Sequence, residues 1–128
     1  MENCMVCERI DWIKGYTVFI CREHATELHF LEPSFRDEFL HEMAVVAEAV
    51  YKAFKPDKLN YELLGAGGGV HMHWHLFPRR EGDVPARGPV WQLGQELVAE
   101  EYLPSPEELN DLKARLNAEL DKILDSVQ

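Results

Sequence analysis

His71-Met72-His73-Trp74-His75-Leu76-Phe77 decides how this chain is read. Histidine alternates with apolar residues at a spacing of two, the period of a β-strand. On a strand, His71, His73 and His75 share one face, while Met72, Trp74 and Leu76 share the other. The apolar face seeks a core, and a slip of one residue would bury the imidazoles instead, so the register is specified. The pattern predicts a strand over 70–77, closed by Pro78, with a row of imidazoles along it.

Upstream lies Gly65-Ala66-Gly67-Gly68-Gly69, a link that no regular element tolerates. Before it, residues 59–64 read as a second strand, and Lys55-Pro56-Asp57 ends a long helix, since proline disfavours helical geometry at the residue before it. That helix opens at Pro33-Ser34, with Ser34 as the expected N-cap and Asp37 and Glu38 in the first turn. Phe35, Phe39, Met43, Val46, Val50 and Phe54 form its apolar stripe. Further back, Tyr16-Thr17-Val18-Phe19-Ile20-Cys21 follows a turn at Lys14-Gly15 and reads as a buried strand. Residues 22–32 read as loop with a short helical turn. Downstream, residues 79–104 hold Arg79, Arg80 and Arg87 and read as irregular chain with a short helix after Trp91. Ser105-Pro106-Glu107-Glu108 starts a last helix with an N-cap, a first-turn proline and a capping-box glutamate. Leu109, Leu112, Leu116, Leu120 and Ile123 carry that helix to about residue 125.

The whole chain has 128 residues, the size of one domain. Its charge is 13 minus 23, or −10, with no basic tail, which argues against sequence-independent nucleic-acid binding. No apolar run reaches the ~20 residues of a membrane span. The N-terminus lacks a basic segment followed by an apolar one, so a cytoplasmic location is expected. Three cysteines cannot form a closed disulfide set. Cys4 and Cys7 read as a C-x-x-C metal half-site, with a redox pair or chance spacing as alternatives, and Cys21 as a small buried hydrophobe.

A row of neutral imidazoles offers nucleophiles and metal ligands. At this spacing one histidine can attack while its neighbours orient it or stabilise developing charge. A triple-histidine metal site and plain surface decoration are the competing readings. Bare backbone at Gly67, Gly68 and Gly69 can approach a phosphate, and Arg79 and Arg80 follow the strand.

These residues resemble the histidine-triad (HIT) signature, in which three histidines alternate with apolar residues, and Pro78-Arg79 fits as well. Val18-Phe19-Ile20-Cys21-Arg22-Glu23-His24 looks like the family's strand with its basic-His ending. Residues 34–54 resemble its long helix, and Asn60-Tyr61-Glu62-Leu63-Leu64-Gly65 the strand before the triad. The likeness covers about residues 4–83 of a single domain spanning 1–128, with 84–128 as a C-terminal extension. The chain is most similar to short bacterial members of the diadenosine-tetraphosphate-hydrolase-like kind, which share the His-Trp-His core and a later Pro-x-Trp, here Pro89-Val90-Trp91.

The resemblance implies an α+β fold, an antiparallel sheet with one long helix packed on it and a C-terminal helix. It implies cleavage of dinucleoside polyphosphates or nucleoside phosphoramidates through a covalent nucleotidyl-histidine. His73 would attack, His75 would hydrogen-bond phosphate oxygens and help protonate the leaving group, and His71 would support the site. Gly67, Gly68, Gly69, His75 and Arg79 would hold the nucleotide phosphate. One structural zinc ion would be held by Cys4, Cys7, His24 and His71, with His29 and His41 as substitutes for His24. A homodimer is implied, and the helix at 34–54, with Phe35, Phe39, Leu40, Ala47 and Phe54, is either its interface or the chain's own core. The chain departs from the family's pattern at Ala66, where members carry asparagine, and in a glycine link that offers phosphate only backbone N–H groups. A nucleotide-binding module with little catalysis is therefore the second reading, and a zinc-binding protein the third.

Overall fold

The computed structural model describes residues 4–6, 13–65, 67–83, 88–90 and 104–126; of residues 4–6 only the backbone is considered. Among the described residues four antiparallel strands form one sheet: β1 (Cys4–Val6), β2 (Thr17–Ile20), β3 (Lys58–Glu62) and β4 (His73–Arg79). Their order is β1-β2-β4-β3, so the histidine strand is central. The helices α1 (Pro33–Phe54) and α2 (Pro106–Ser126) complete the α+β fold. No helix among the described residues is long and apolar enough to cross a membrane. The short helix expected after Trp91 lies outside the described residues.

The alternation in β4 sorts its side chains as the sequence predicts. Leu76 is fully buried and Trp74 packs against the core, alongside Phe19 of β2 and Leu59 of β3. This face meets Val46, Ala49 and Val50 of α1, and Leu112, Leu116, Leu120 and Ile123 of α2 belong to the same cluster. The stripe on α1 is wider than the large residues alone suggest, because Ala47, Ala49 and Ala53 are also buried. Small residues let neighbouring elements approach closely. Phe39, Ala47 and Phe54 lie in the chain's own core, so the stripe is intramolecular.

The start of α1 and both ends of β4 differ from expectation, and β2 and β3 are shorter than the stretches 16–21 and 59–64 read as strands. Glu32 caps α1, not Ser34: its carboxylate accepts from the Phe35 amide at 3.2 Å and from the Ser34 hydroxyl. Proline favours the first helical position, so Pro33 pulls the cap one residue earlier than Ser34. At the other end Lys55 is left-handed, with φ 48°, and its N–H donates to Tyr51. β4 begins at His73 and runs through Pro78 to Arg79. β2 ends at Thr17, opposite Leu76, so beyond that point β4 has only β3 beside it, with Leu59 opposite Pro78. A residue without an N–H is tolerated where a strand is paired on one side. The capping box at α2 forms as read: the Glu108 amide donates to Ser105 Oγ at 3.1 Å and the Ser105 amide to the Glu108 carboxylate at 3.2 Å.

The far end of β4 is fastened to α1 and α2. Arg80 donates to the Phe54 carbonyl, and Arg115 of α2 donates to the Ala53 carbonyl at 2.9 Å. Both guanidinium groups thus sit where the last carbonyls of α1 lack helical partners and carry partial negative charge. Gly15 packs against this corner with φ +88°, and a Cβ there would lie 2.3 Å from the Phe54 ring.

Candidate active site

The opposite face of the sheet carries His73 and His75, their rings 4.6 Å apart and edge to face. Cross-strand pairing puts Ile20 beside His73, and Val18 and Glu62 beside His75. Phe77 continues the row beneath Tyr16, the two rings stacked at 4.3 Å. Tyr16 is 6% exposed and its hydroxyl meets Nδ1 of His75. Burial, and then the neighbouring His73, push the His75 pKa below the ordinary histidine value, opposed by a hydrogen bond to the Leu64 backbone.

His73 is oriented by its own backbone. Its Nδ1 donates to the His71 carbonyl at 2.8 Å. In the neutral ring that leaves the lone pair on Nε2. His73 lines a cavity of about 300 Å³ together with Leu64, Gly65, Gly67, Gly68 and Glu27. Gly67 and Gly69 have φ of +100° and +99°, values that L side chains rarely adopt, so glycine is needed for the path of this link. Open space surrounds both, which leaves their backbone accessible. Ala66 lies outside the described residues.

The third histidine leaves the row. His71 precedes β4, where the Met72 amide donates to Ala25 at 3.1 Å and the Met72 carbonyl accepts from Cys21 at 3.0 Å. These bonds tie 71–72 to the segment after β2. His71 therefore turns to His24, with the two Nδ1 atoms 3.2 Å apart, and its Nε2 donates to the Cys21 carbonyl. The triad is thus a pair on the strand and a second pair beside it.

That second pair fits a tetrahedral metal. Two nitrogens at about 2.05 Å from zinc lie about 3.3 Å apart. The Cys21 carbonyl holds the His71 ring by Nε2, leaving Nδ1 as the ligand atom, a common arrangement around bound zinc. Register sets Cys4 opposite Phe19, and Cys7 lies outside the described residues. No group of three or more His, Cys, Asp or Glu able to hold a metal occurs among the described residues. His29 packs on Phe30 and His41 is exposed on α1. Cys21 is buried, and burial raises its thiol pKa.

Arg79 is not brought to the histidines. It sits six residues beyond His73, about 20 Å along the strand. Its guanidinium grips Asp83 through two nitrogens, at 2.8 and 3.2 Å, and donates to the Gly88 carbonyl at 2.9 Å. Arg80 is likewise engaged, at the end of α1. The site residues that sequence reasoning missed are Tyr16, Leu64 and Glu27. Tyr16 had a signal, since it stands two before Val18 on an alternating strand, but only the pairing of β2 with β4 shows which face that is.

Known proteins share this fold. The HIT domain model matches residues 11–82, more than half of the chain. A histidine triad protein of Sinorhizobium meliloti superposes with a TM-score of 0.74 at 26% identity, over 93% of this chain and 84% of that one. One of Bradyrhizobium japonicum gives 0.74 at 23% identity, over 91% and 82%. A zinc-bound histidine triad family protein of Mycobacterium smegmatis gives 0.63 at 21% identity, over 100% and 84%. No curated protein matches the chain. With its alternating histidines on the central strand of the matched sheet, this chain belongs to the HIT domain family.

Proposed function

We propose that the chain is a nucleotide hydrolase or nucleotidyl transferase acting on dinucleoside polyphosphates or nucleoside phosphoramidates. The observation that carries this reading is the His73 Nδ1–H to His71 carbonyl bond, which leaves Nε2 of a cavity-lining imidazole as the nucleophilic atom. Nε2 attacks the α-phosphorus, an N–P bond forms, and the P–O or P–N bond to the leaving group breaks. The leaving group departs with the electron pair and takes a proton from solvent. Water then attacks phosphorus and gives a proton back to solvent, the N–P bond breaks with its electron pair returning to Nε2, and a nucleoside monophosphate is released. Splitting one displacement into two lowers each barrier. Backbone N–H groups of Gly67, Gly68 and Gly69 and the His75 ring stabilise charge on the phosphoryl oxygens. Arg79 has no part in this scheme, because its guanidinium is held by Asp83.

The test is incubation of His73→Ala with a fluorogenic adenosine phosphoramidate and with diadenosine tetraphosphate. Turnover falls about 10³-fold or more, and the nucleotidyl adduct seen on the wild-type chain by mass spectrometry is lost. Full activity in the variant refutes the assignment. The absence of phosphate-binding side chains at Gly67 and Gly69 supports a second reading, a nucleotide-binding module. Calorimetric binding of AMP without turnover by the wild-type chain selects it.

Zinc has a structural place in this proposal. His24 and His71 would hold it with the thiolates of Cys4 and Cys7, and a bound ion would fix the start of β4. Metal analysis of the purified protein then gives one zinc per chain, lost in Cys4→Ser and kept in His73→Ala. A metal lost only with His73 refutes this site. The whole chain acts as a single domain, a homodimer in the cytoplasm.

A further inference from the structure

We propose that Tyr16 is a positioning residue: its hydroxyl fixes the tautomer of His75, so that the His75 Nε2–H serves as the donor beside the His73 cavity. The inference deepens the proposed function and rests on it for its kinetic consequence. The Tyr16 hydroxyl meets His75 Nδ1. A phenolic O–H is a better donor than its oxygen is an acceptor, so it donates to the Nδ1 lone pair, and the neutral ring carries its own proton on Nε2. A hydrogen bond to the Leu64 backbone, which raises the His75 pKa, agrees with an N–H there.

The setting makes this arrangement rigid. Tyr16 is 6% exposed, stacks on Phe77 at 4.3 Å and 12°, and lies 5.8 Å from the His75 ring at 13°. His75 and Phe77 are parallel within 1°. Three rings therefore move together, and the hydroxyl cannot leave Nδ1 without disturbing the stack. Leu64 also lines the cavity that holds His73, Gly65, Gly67 and Gly68. With the His75 ring 4.6 Å from that of His73, the Nε2 proton is the one a phosphoryl oxygen beside this cavity can use. This matters because the glycine link supplies no side-chain donor, so a misplaced imidazole proton is not replaced by another group.

Tyr16→Phe keeps the stack and removes only the hydroxyl. Nitrogen-15 NMR of His75 reads the tautomer directly, in the protein as purified with any bound metal. In the wild type His75 is the Nε2–H form; in Tyr16→Phe the Nδ1–H form becomes populated. With the phosphoramidate substrate, kcat falls about tenfold, the worth of one hydrogen bond, while KM changes less than twofold. An unchanged His75 tautomer in Tyr16→Phe overturns the proposal, as does a wild-type His75 in the Nδ1–H form, a result available even if the variant fails to fold. Should the wild type bind AMP without turnover, the enzymatic reading fails, and the tautomer spectra still decide the role of Tyr16.

Discussion

The two ends of β4 are built to opposite specifications. At the far end Arg79 grips Asp83 and Gly88, Arg80 reaches the Phe54 carbonyl, and Asp57 accepts from the Glu81 amide at 2.9 Å. Charged groups there face partners of the same chain. At the near end His73 lines a cavity and the glycine link is open. One strand thus carries a fastened end and the proposed reactive end, six residues apart. In the proposed function the fastened end holds the imidazoles in place for a bound phosphate, which is how a site on a strand gains precision over one on a loop.

Substitutions at the fastened end separate the two roles. The largest effect is expected at Gly15→Ala, where the new Cβ lands 2.3 Å from the Phe54 ring at a φ of +88°. Overpacking and left-handed strain together cost about 2–4 kcal/mol, read by urea denaturation. A change under 0.5 kcal/mol would show that the corner yields. Next comes Arg79→Met, which takes the ion-pair partner from a largely buried Asp83 and leaves it the Arg80 amide. Stability falls by about 2 kcal/mol, while kcat/KM per folded molecule stays within twofold. A raised KM at unchanged stability would instead make Arg79 a phosphate ligand.

Asp83 also gives this contrast a pH signature. Burial raises its carboxyl pKa, but the hydrogen bond from Arg79, the Arg80 amide and both guanidinium charges outweigh that and hold it below the ordinary value. Its folded pKa is therefore lower than its unfolded one. The stabilisation is complete above the unfolded carboxylate range, near pH 4, and is lost as pH falls through the folded pKa. In Arg79→Met the acid-side decline in Tm is shallower below pH 4; an identical decline would place the linkage elsewhere.

The smallest effect is expected at the reactive end. Groups facing His75 are His73 on its own strand, Tyr16 ahead of β2 and Glu62 across on β3. The folded pKa of His75 is depressed, so its unfolded form binds protons first as pH drops. Its contribution is constant above the ordinary histidine range and declines as pH falls below about 6.5. Titration of the His75 ring by NMR checks this, and a midpoint above 6.5 contradicts it.

Local chemistry made much of the molecule legible. The alternation in 71–77 sorts Trp74 and Leu76 to the core and His73 and His75 away from it, because a strand's period is two. Ser105 and Glu108 cap α2 because both members of the box lie within one turn. Long-range partners were not legible. Arg79 reads as a phosphate ligand and Arg80 as added charge beside it, yet Asp83 and the end of α1 claim them, and nothing local in the sequence distinguishes a structural guanidinium from a binding one.

Sequence pattern alone sets the histidine strand and both long helices, since each rests on periodicity and spacing within a short window, and the motif on that strand carries the resemblance to the family. Tertiary structure alone decided that His71 parts from the row to meet His24 and that Tyr16 reaches His75. Those outcomes depend on which strands pair and in what register, a choice made by burial of the whole sheet against α1 and α2.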